Sequence, residues 1–128
     1  MTPAVQQAIE SIRCVFEGAN LSIEEDGAGG AYVIIDSVDI GNKYIPSSTW
    51  IGAHLSPQLP YADVYPLFIG ADVARSDGSA FTAPITPGHN FRGRSAIQVS
   101  RRTNRLDPNL QTAASKFLKV IHWLKEMA

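Results

Sequence analysis

The sequence predicts an α+β domain in which a helix at each end of the chain flanks an antiparallel sheet. Apolar residues recur at helical spacing near both ends, whereas the middle carries short β-rich runs separated by turn residues. Such short connections favour antiparallel pairing. With 128 residues, 45% of them hydrophobic and 18% charged, the chain is expected to fold as one domain over residues 1–128.

The first predicted element is an amphipathic helix. Thr2 and Pro3 are typical of an N-cap and a first helical residue, and Gly18 is predicted to end the helix. Cys14, the only cysteine, is expected to pack within this element rather than to react. The apolar positions at helical spacing are Val5, Ala8, Ile9, Ile12, Val15 and Phe16.

A meander of about four antiparallel strands is expected next. Leu21 and Ile23 alternate with polar residues, and the turn residues of 26–30 separate them from the following run. Each further candidate is bounded by Gly, Pro, Asn or Ser. These candidates are 32–35, 38–40, 49–54 and 64–69.

A long active-site-like loop and a C-terminal helix complete the predicted order. Residues 70–94 are rich in Asp, Gly, Pro and Thr without periodicity, and 95–100 alternate as a short strand. Asp107 and Pro108 indicate a second helix start. Its apolar stripe is predicted to pack on the sheet and comprises Leu110, Ala113, Ala114, Phe117, Leu118, Ile121 and Leu124, with Lys116, Lys119 and Lys125 facing water.

Several short motifs carry a family resemblance. Leu59-Pro60-Tyr61 through Tyr65-Pro66 forms a Tyr-Pro-rich corner, and His89-Asn90 follows Gly88 where a His-Pro-Asn motif has its proline. Gly93-Arg94 then precedes the next strand. In this order the motifs resemble those of the ubiquitin-conjugating enzyme (UBC) superfamily. The resemblance implies a UBC-like fold and an active site near the long loop.

The nucleophile of that family is missing at the matching position. Leu106-Asp107-Pro108 stands where the family has Trp-Ser-Pro, and counting from Asn90 to Pro108 without a gap places Gln98 at the cysteine. Residues 91–94 and 100–102 are similar to stretches in prokaryotic relatives that serve ubiquitin-like modification systems. We therefore expect a prokaryotic conjugating-enzyme-like protein that lacks the catalytic cysteine.

The resemblance implies roles for several residues near this position. Ser100 lies two residues beyond Gln98, on the same side of an extended segment, and is the first candidate to replace the thiol; Ser95 is the second. His89 would act as its base and Asn90 would stabilise the oxyanion. The residues that would bind the C-terminal tail of the modifier are Arg94, Arg101 and Arg102. Alternatively, Ser100 and His89 are structural and the arginines pair with acidic side chains.

Two functions therefore stay open from the sequence. The chain is either a transferase that forms an oxyester on serine, with a ubiquitin-like modifier and its activating enzyme as partners, or an inactive module that binds one of them. Nucleic-acid binding is disfavoured, although residues 92–128 carry 8 basic and 2 acidic residues, because the net charge is −1. No cofactor, metal site or membrane span is expected, the default location is cytoplasmic, and the oligomeric state stays open.

Overall fold

The computed structural model describes residues 1–103 and 112–127, and the elements in these ranges confirm the predicted α+β class. Helix α1 begins the chain and helix α2 ends it, and antiparallel strands lie between them. The elements are α1 (Pro3–Val15), β1 (Asn20–Glu25), β2 (Ala31–Asp39), β3 (Tyr44–Ile45), β4 (Ser48–Leu55), β5 (Leu67–Gly70), β6 (Ala74–Arg75), β7 (Ile85–Phe91), β8 (Arg94–Val99) and α2 (Ala113–Met127).

Helix α1 begins as its cap predicts. The Thr2 hydroxyl accepts a hydrogen bond of 3.2 Å from the backbone N–H of Val5. The helix ends at Val15, before Gly18. Val15 and Cys14 are exposed, so their predicted packing is wrong. The reason is geometric: the buried stripe runs through Val5, Ile9 and Ile12, and the next position on that side of the helix is Phe16.

The main sheet has six strands, so the predicted number of about four is wrong. Its order is β1-β2-β4-β5-β8-β7, in which the first four strands form a meander and the β7–β8 hairpin extends it. Residues 85–91, predicted as loop, form β7. Because Pro87 and Gly88 disfavour strand structure, the sequence did not predict β7. Both residues fall in the register shift between Thr86 and His89 on an edge strand, where such residues are tolerated.

Two other strand boundaries differ from the prediction. Val38 belongs to β2, which continues through a register shift between Ile35 and Val38 opposite β4. Within the run 38–40, Val38 and Asp39 are therefore the end of β2 rather than a separate strand, and Ile40 follows the strand. β5 begins at Leu67 instead of Val64, and β3 and β6 form a separate two-stranded sheet.

The two faces of the main sheet have different surroundings. Both helices pack on one face, where side chains such as Ile35, Ile51 and Phe117 are fully buried. The opposite face, called here the outer face, carries a smaller apolar cluster. Its members are Tyr32, Ile34, Trp50, Phe68, Phe91 and Ala96.

Helix α2 covers the sheet as predicted, with two corrections. Leu118 was expected on the buried stripe but is 46% exposed, and Lys116 was expected in water but is 3% exposed. Positions 113, 114, 116, 117, 120, 121 and 124 form the stripe that packs, which includes residue 116 and leaves out residue 118. The predicted helix start at Asp107-Pro108 lies outside the described residues, and so does Leu110.

Candidate functional site

The β7–β8 hairpin turns at Arg92 and Gly93 and lies against the outer face. Both residues have positive φ, 49° and 82°, as a two-residue hairpin with the twist of its strands requires. The turn carries Phe91 over Gly52 of β4. A Cβ at Gly52 would lie 2.7 Å from Cε2 of Phe91, so glycine is what lets the ring approach the strand.

Two arginines of the hairpin are held by carboxylates of neighbouring strands. Arg92 pairs with Glu24 of β1, and its guanidinium lies 4.1 Å from the Tyr32 ring centre. The Arg94 guanidinium lies 3.6 Å from a carboxylate oxygen of Asp36 and 5.4 Å from the Trp50 ring centre. Arg94, predicted to bind a modifier tail, is therefore engaged by a carboxylate of the same chain.

Ser100 lies on the outer face and its hydroxyl is hydrogen-bonded to an amide. Gln98 pairs with Phe68 in register, which places its side chain on this face. Gln98 Nε2 donates to Ser100 Oγ over 2.8 Å, so the two side chains share one side, as their spacing indicates. An amide donor does not remove a proton from the hydroxyl, and it therefore does not activate Ser100.

His89 is not positioned to serve as the base for Ser100. It pairs with Ala96, and the four residues from Ala96 to Ser100 span roughly 13 Å along a strand. Within residues 1–103 and 112–127, no hydrogen bond joins His89 to Ser100. Sharing a face of the sheet is the only relation that the structure gives these two residues.

Asn90 and Ser95 lie on the opposite side of the hairpin. They face each other in register, one residue away from the His89–Ala96 pair. Because successive side chains of a strand alternate in direction, both point away from the side that holds Ser100. The structure therefore divides the predicted catalytic set between two faces.

Arg101 and Arg102 follow the end of β8, and the side chains of both stack on aromatic rings. The Arg101 guanidinium lies 4.8 Å from the Trp123 ring centre on α2, and that of Arg102 lies 4.0 Å from the Tyr65 ring centre. These two arginines are thus separated from Arg94, which lies on the outer face. The three predicted tail-binding residues do not form one cluster.

The segment after Ser100 is fixed by a buried ion pair that the sequence prediction missed. Lys116 Nζ lies 3.1 Å from each carboxylate oxygen of Asp63 and donates to the Arg101 carbonyl over 2.6 Å and to Thr103 Oγ1 over 3.2 Å. Asp63 also accepts from the Thr103 N–H at 2.7 Å. The network ties α2 to the segment after β8 and to the Tyr-Pro-rich corner. The helical position of Lys116, between Ala113 and Val120 on the apolar stripe, was the available signal.

Burial and hydrogen bonding compete in this network. Burial lowers the pKa of Lys116, and the bonds to Asp63 only partly offset that effect. Burial raises the pKa of Asp63, but hydrogen bonds from Thr103 and Lys116 outweigh it, so the pKa ends below its usual value. The network therefore favours the charged form of Asp63, whereas burial disfavours the charged form of Lys116.

A second carboxylate, Asp26, holds the turn between β1 and β2. Its Oδ2 lies 2.6 Å from Nε2 of His54, and its Oδ1 accepts from the N–H groups of Ala28 and Gly30 at 2.7 and 2.9 Å. The hydrogen bond to His54, followed by that from Ala28, lowers the pKa of Asp26. His54 also lies beside Tyr32, with ring centres 4.8 Å apart. These contacts to the turn and to Tyr32 indicate a structural role for His54.

The lowered pKa of Asp26 predicts a specific pH dependence. A carboxylate whose pKa is lower in the folded state stabilises the fold above about pH 4, the unfolded value, and loses that effect as the pH falls through the folded value. Asp26→Asn should therefore be less stable than wild type at neutral pH, and the difference should shrink in acid. Urea unfolding from neutral to strongly acidic pH measures it. A difference that stays constant down to the lowest pH contradicts the assignment.

In residues 1–103 and 112–127, no group of three or more His, Cys, Asp or Glu side chains is arranged to hold a metal ion. Neither helix in these ranges has the length and apolar character needed to cross a membrane. Comparison of the chain with protein-family models, with curated proteins and with solved structures found no match.

Proposed function

We propose that this chain is a conjugating-enzyme-like protein that binds a ubiquitin-like modifier without forming an ester with it. The sequence resemblance and the order of helix, meander, hairpin and covering helix support the class. One observation carries the choice between binding and catalysis. The Ser100 hydroxyl accepts from the Gln98 amide, and His89 lies four strand positions away in register. Serine without a base is a weak nucleophile, so binding fits this geometry better than transfer.

The outer face is the surface on which we place the modifier. Tyr32, Trp50 and Phe68 are half-buried there, and both helices pack on the other face of the sheet. Aromatic side chains and arginine are enriched at the centres of protein interfaces, and Arg92 and Arg94 border this cluster. The face therefore offers apolar contact area with fixed charges at its rim.

The two tryptophans of the chain allow a matched test of this surface. Trp50→Gln should weaken binding of a ubiquitin-like protein by about tenfold or more, because it removes a central aromatic contact. Trp123→Gln, on α2, should leave the affinity unchanged. Titration of the isotope-labelled chain with ubiquitin and a panel of prokaryotic ubiquitin-like proteins, followed by NMR, measures both variants. If no panel member shifts the outer-face signals, or if both variants bind equally, the proposed surface is wrong.

A second experiment separates binding from ester formation. The chain is incubated with an activating enzyme, its modifier and ATP, and intact mass is recorded before and after hydroxide treatment. The proposal expects no covalent adduct, for wild type and for Ser100→Ala alike. An adduct that resists thiol reductant, is cleaved by hydroxide and disappears in Ser100→Ala would overturn the proposal in favour of an oxyester-forming transferase.

A further inference from the structure

A second surface, separate from the outer face, lies along α2. It is a shallow groove lined by Arg101, Leu118, Lys119, His122, Trp123 and Glu126, called here the α2 groove. Leu118 is 46% exposed and Trp123 is partly exposed. Because α2 packs on the helix-covered face of the sheet, this groove does not adjoin the aromatic cluster of Trp50 and Phe68.

Arg101 lies in the α2 groove and is held there by an aromatic ring. Its guanidinium lies 4.8 Å from the Trp123 ring centre, and in the part of the chain that the structure describes no Asp or Glu lies within ion-pair distance of it. Arg94, by comparison, also stacks on a tryptophan but pairs with Asp36. A guanidinium that lies over a ring still directs its N–H groups outward in the plane that suits a carboxylate.

The backbone of Arg101 is fixed by the buried network beneath it. Its carbonyl accepts from Lys116 Nζ over 2.6 Å, and Lys116 is itself 3% exposed and bound to Asp63. The guanidinium therefore extends from a segment whose backbone is hydrogen-bonded to α2, and it lies over a ring of the same helix. Such preorganisation lowers the entropy lost when a ligand binds.

The charges of the α2 groove select the class of ligand. Among the residues that line the groove, Arg101 and Lys119 are positive and Glu126 is negative, so the lining carries a net positive charge although the chain as a whole is at −1. Leu118 and Trp123 supply an apolar contact between these charges. We propose that the α2 groove binds an acidic peptide segment of a partner protein. A carboxylate of that segment would pair with Arg101, and one large apolar side chain would pack on Leu118 and Trp123.

A designed peptide provides the probe. It is a short fluorescent peptide of Asp and Glu with one central Leu, compared with the same peptide carrying Ser at the centre and with a Lys-rich version that keeps the Leu. Fluorescence anisotropy should show that the acidic Leu peptide binds, that the Ser version binds more weakly, that the Lys-rich version does not bind, and that added salt weakens binding.

Two matched arginine variants locate the site. Arg101→Gln should weaken binding of the acidic Leu peptide by about tenfold or more, as expected for the loss of hydrogen bonds to a charged group. Arg94→Gln removes the same charge from the outer face and should leave the affinity unchanged. Leu118→Ser should weaken binding of the Leu peptide and leave binding of the Ser peptide unchanged.

Three outcomes would overturn the proposal. The first is an Arg101→Gln variant that binds the acidic Leu peptide like wild type. The second is an equal loss of affinity in Arg101→Gln and Arg94→Gln. The third is a single-stranded oligonucleotide of matched charge that binds as tightly as the peptide. The last result would show a general anion surface instead of a peptide site. Thermal unfolding of each variant shows whether an affinity change reflects loss of folding.

Discussion

Replacing Asp63 with alanine is expected to lower the free energy of unfolding by about 3 kcal/mol, because it leaves a buried ammonium without its carboxylate. Lys116 is 3% exposed, has Asp63 as its anionic partner, and also donates to the carbonyl of Arg101 and the hydroxyl of Thr103. Asp63 also fixes the N–H of Thr103, so its loss releases the segment that follows β8. Urea unfolding at neutral pH measures the effect.

A double variant shows whether the buried charge is the cause. Lys116→Met removes the ammonium but keeps an unbranched side chain on the apolar stripe of α2. Asp63→Ala combined with Lys116→Met should therefore be more stable than Asp63→Ala alone. Asp72→Ala, at an exposed aspartate outside the network, should cost little. A loss below about 1 kcal/mol for Asp63→Ala would place this pair among ordinary surface ion pairs.

The parts of the fold that depend on local chemistry could be predicted from the sequence. Thr2 and Pro3 mark the start of α1 because an N-cap is satisfied within its own first turn. β7 was missed because its sequence, with Pro87 and Gly88, disfavours a strand on its own. It forms through pairing with β8, and its edge position accommodates both residues. Strand pairing across the sheet, rather than local preference, decides this element.

The candidate site shows the same division between local and non-local information. That Ser100 shares a side with Gln98 follows from the alternation of strand side chains and could be predicted. The same alternation separates Ser95 from Ser100, since their positions differ by five, an odd number. The distance from His89 to Ser100 could not be predicted, because it depends on the hairpin register and on the shift between Thr86 and His89.

The arginines illustrate why residue type alone did not define a surface. Arg94 and Arg101 lie seven positions apart in one basic stretch, yet one pairs with Asp36 and the other stacks on Trp123 of a distant helix. Only the packing of α2 and the path of the chain after β8 distinguish them. The sequence therefore predicted one basic region, whereas the structure places Arg94 beside a carboxylate and Arg101 over an aromatic ring of α2.

Replacing Phe91 with alanine is expected to lower the free energy of unfolding by about 3 kcal/mol, because the ring is the main apolar contact between the β7–β8 hairpin and the outer face. Phe91 is 6% exposed, its ring centre lies 4.8 Å from that of Phe68, and Gly52 provides the space beneath it. Phe91→Leu retains most of the buried area and should cost less. Urea unfolding compares the two variants.

The same substitution tests whether the ring also positions the hairpin. Without Phe91, the turn residue Arg92 keeps its contacts to Glu24 and Tyr32, which are exposed or half-buried and therefore weak. Amide hydrogen exchange in β8 should then increase more in Phe91→Ala than in Phe91→Leu, while exchange in α1 changes only with global stability. Equal protection of β8 in both variants would show that backbone pairing with β5 alone holds the hairpin in place.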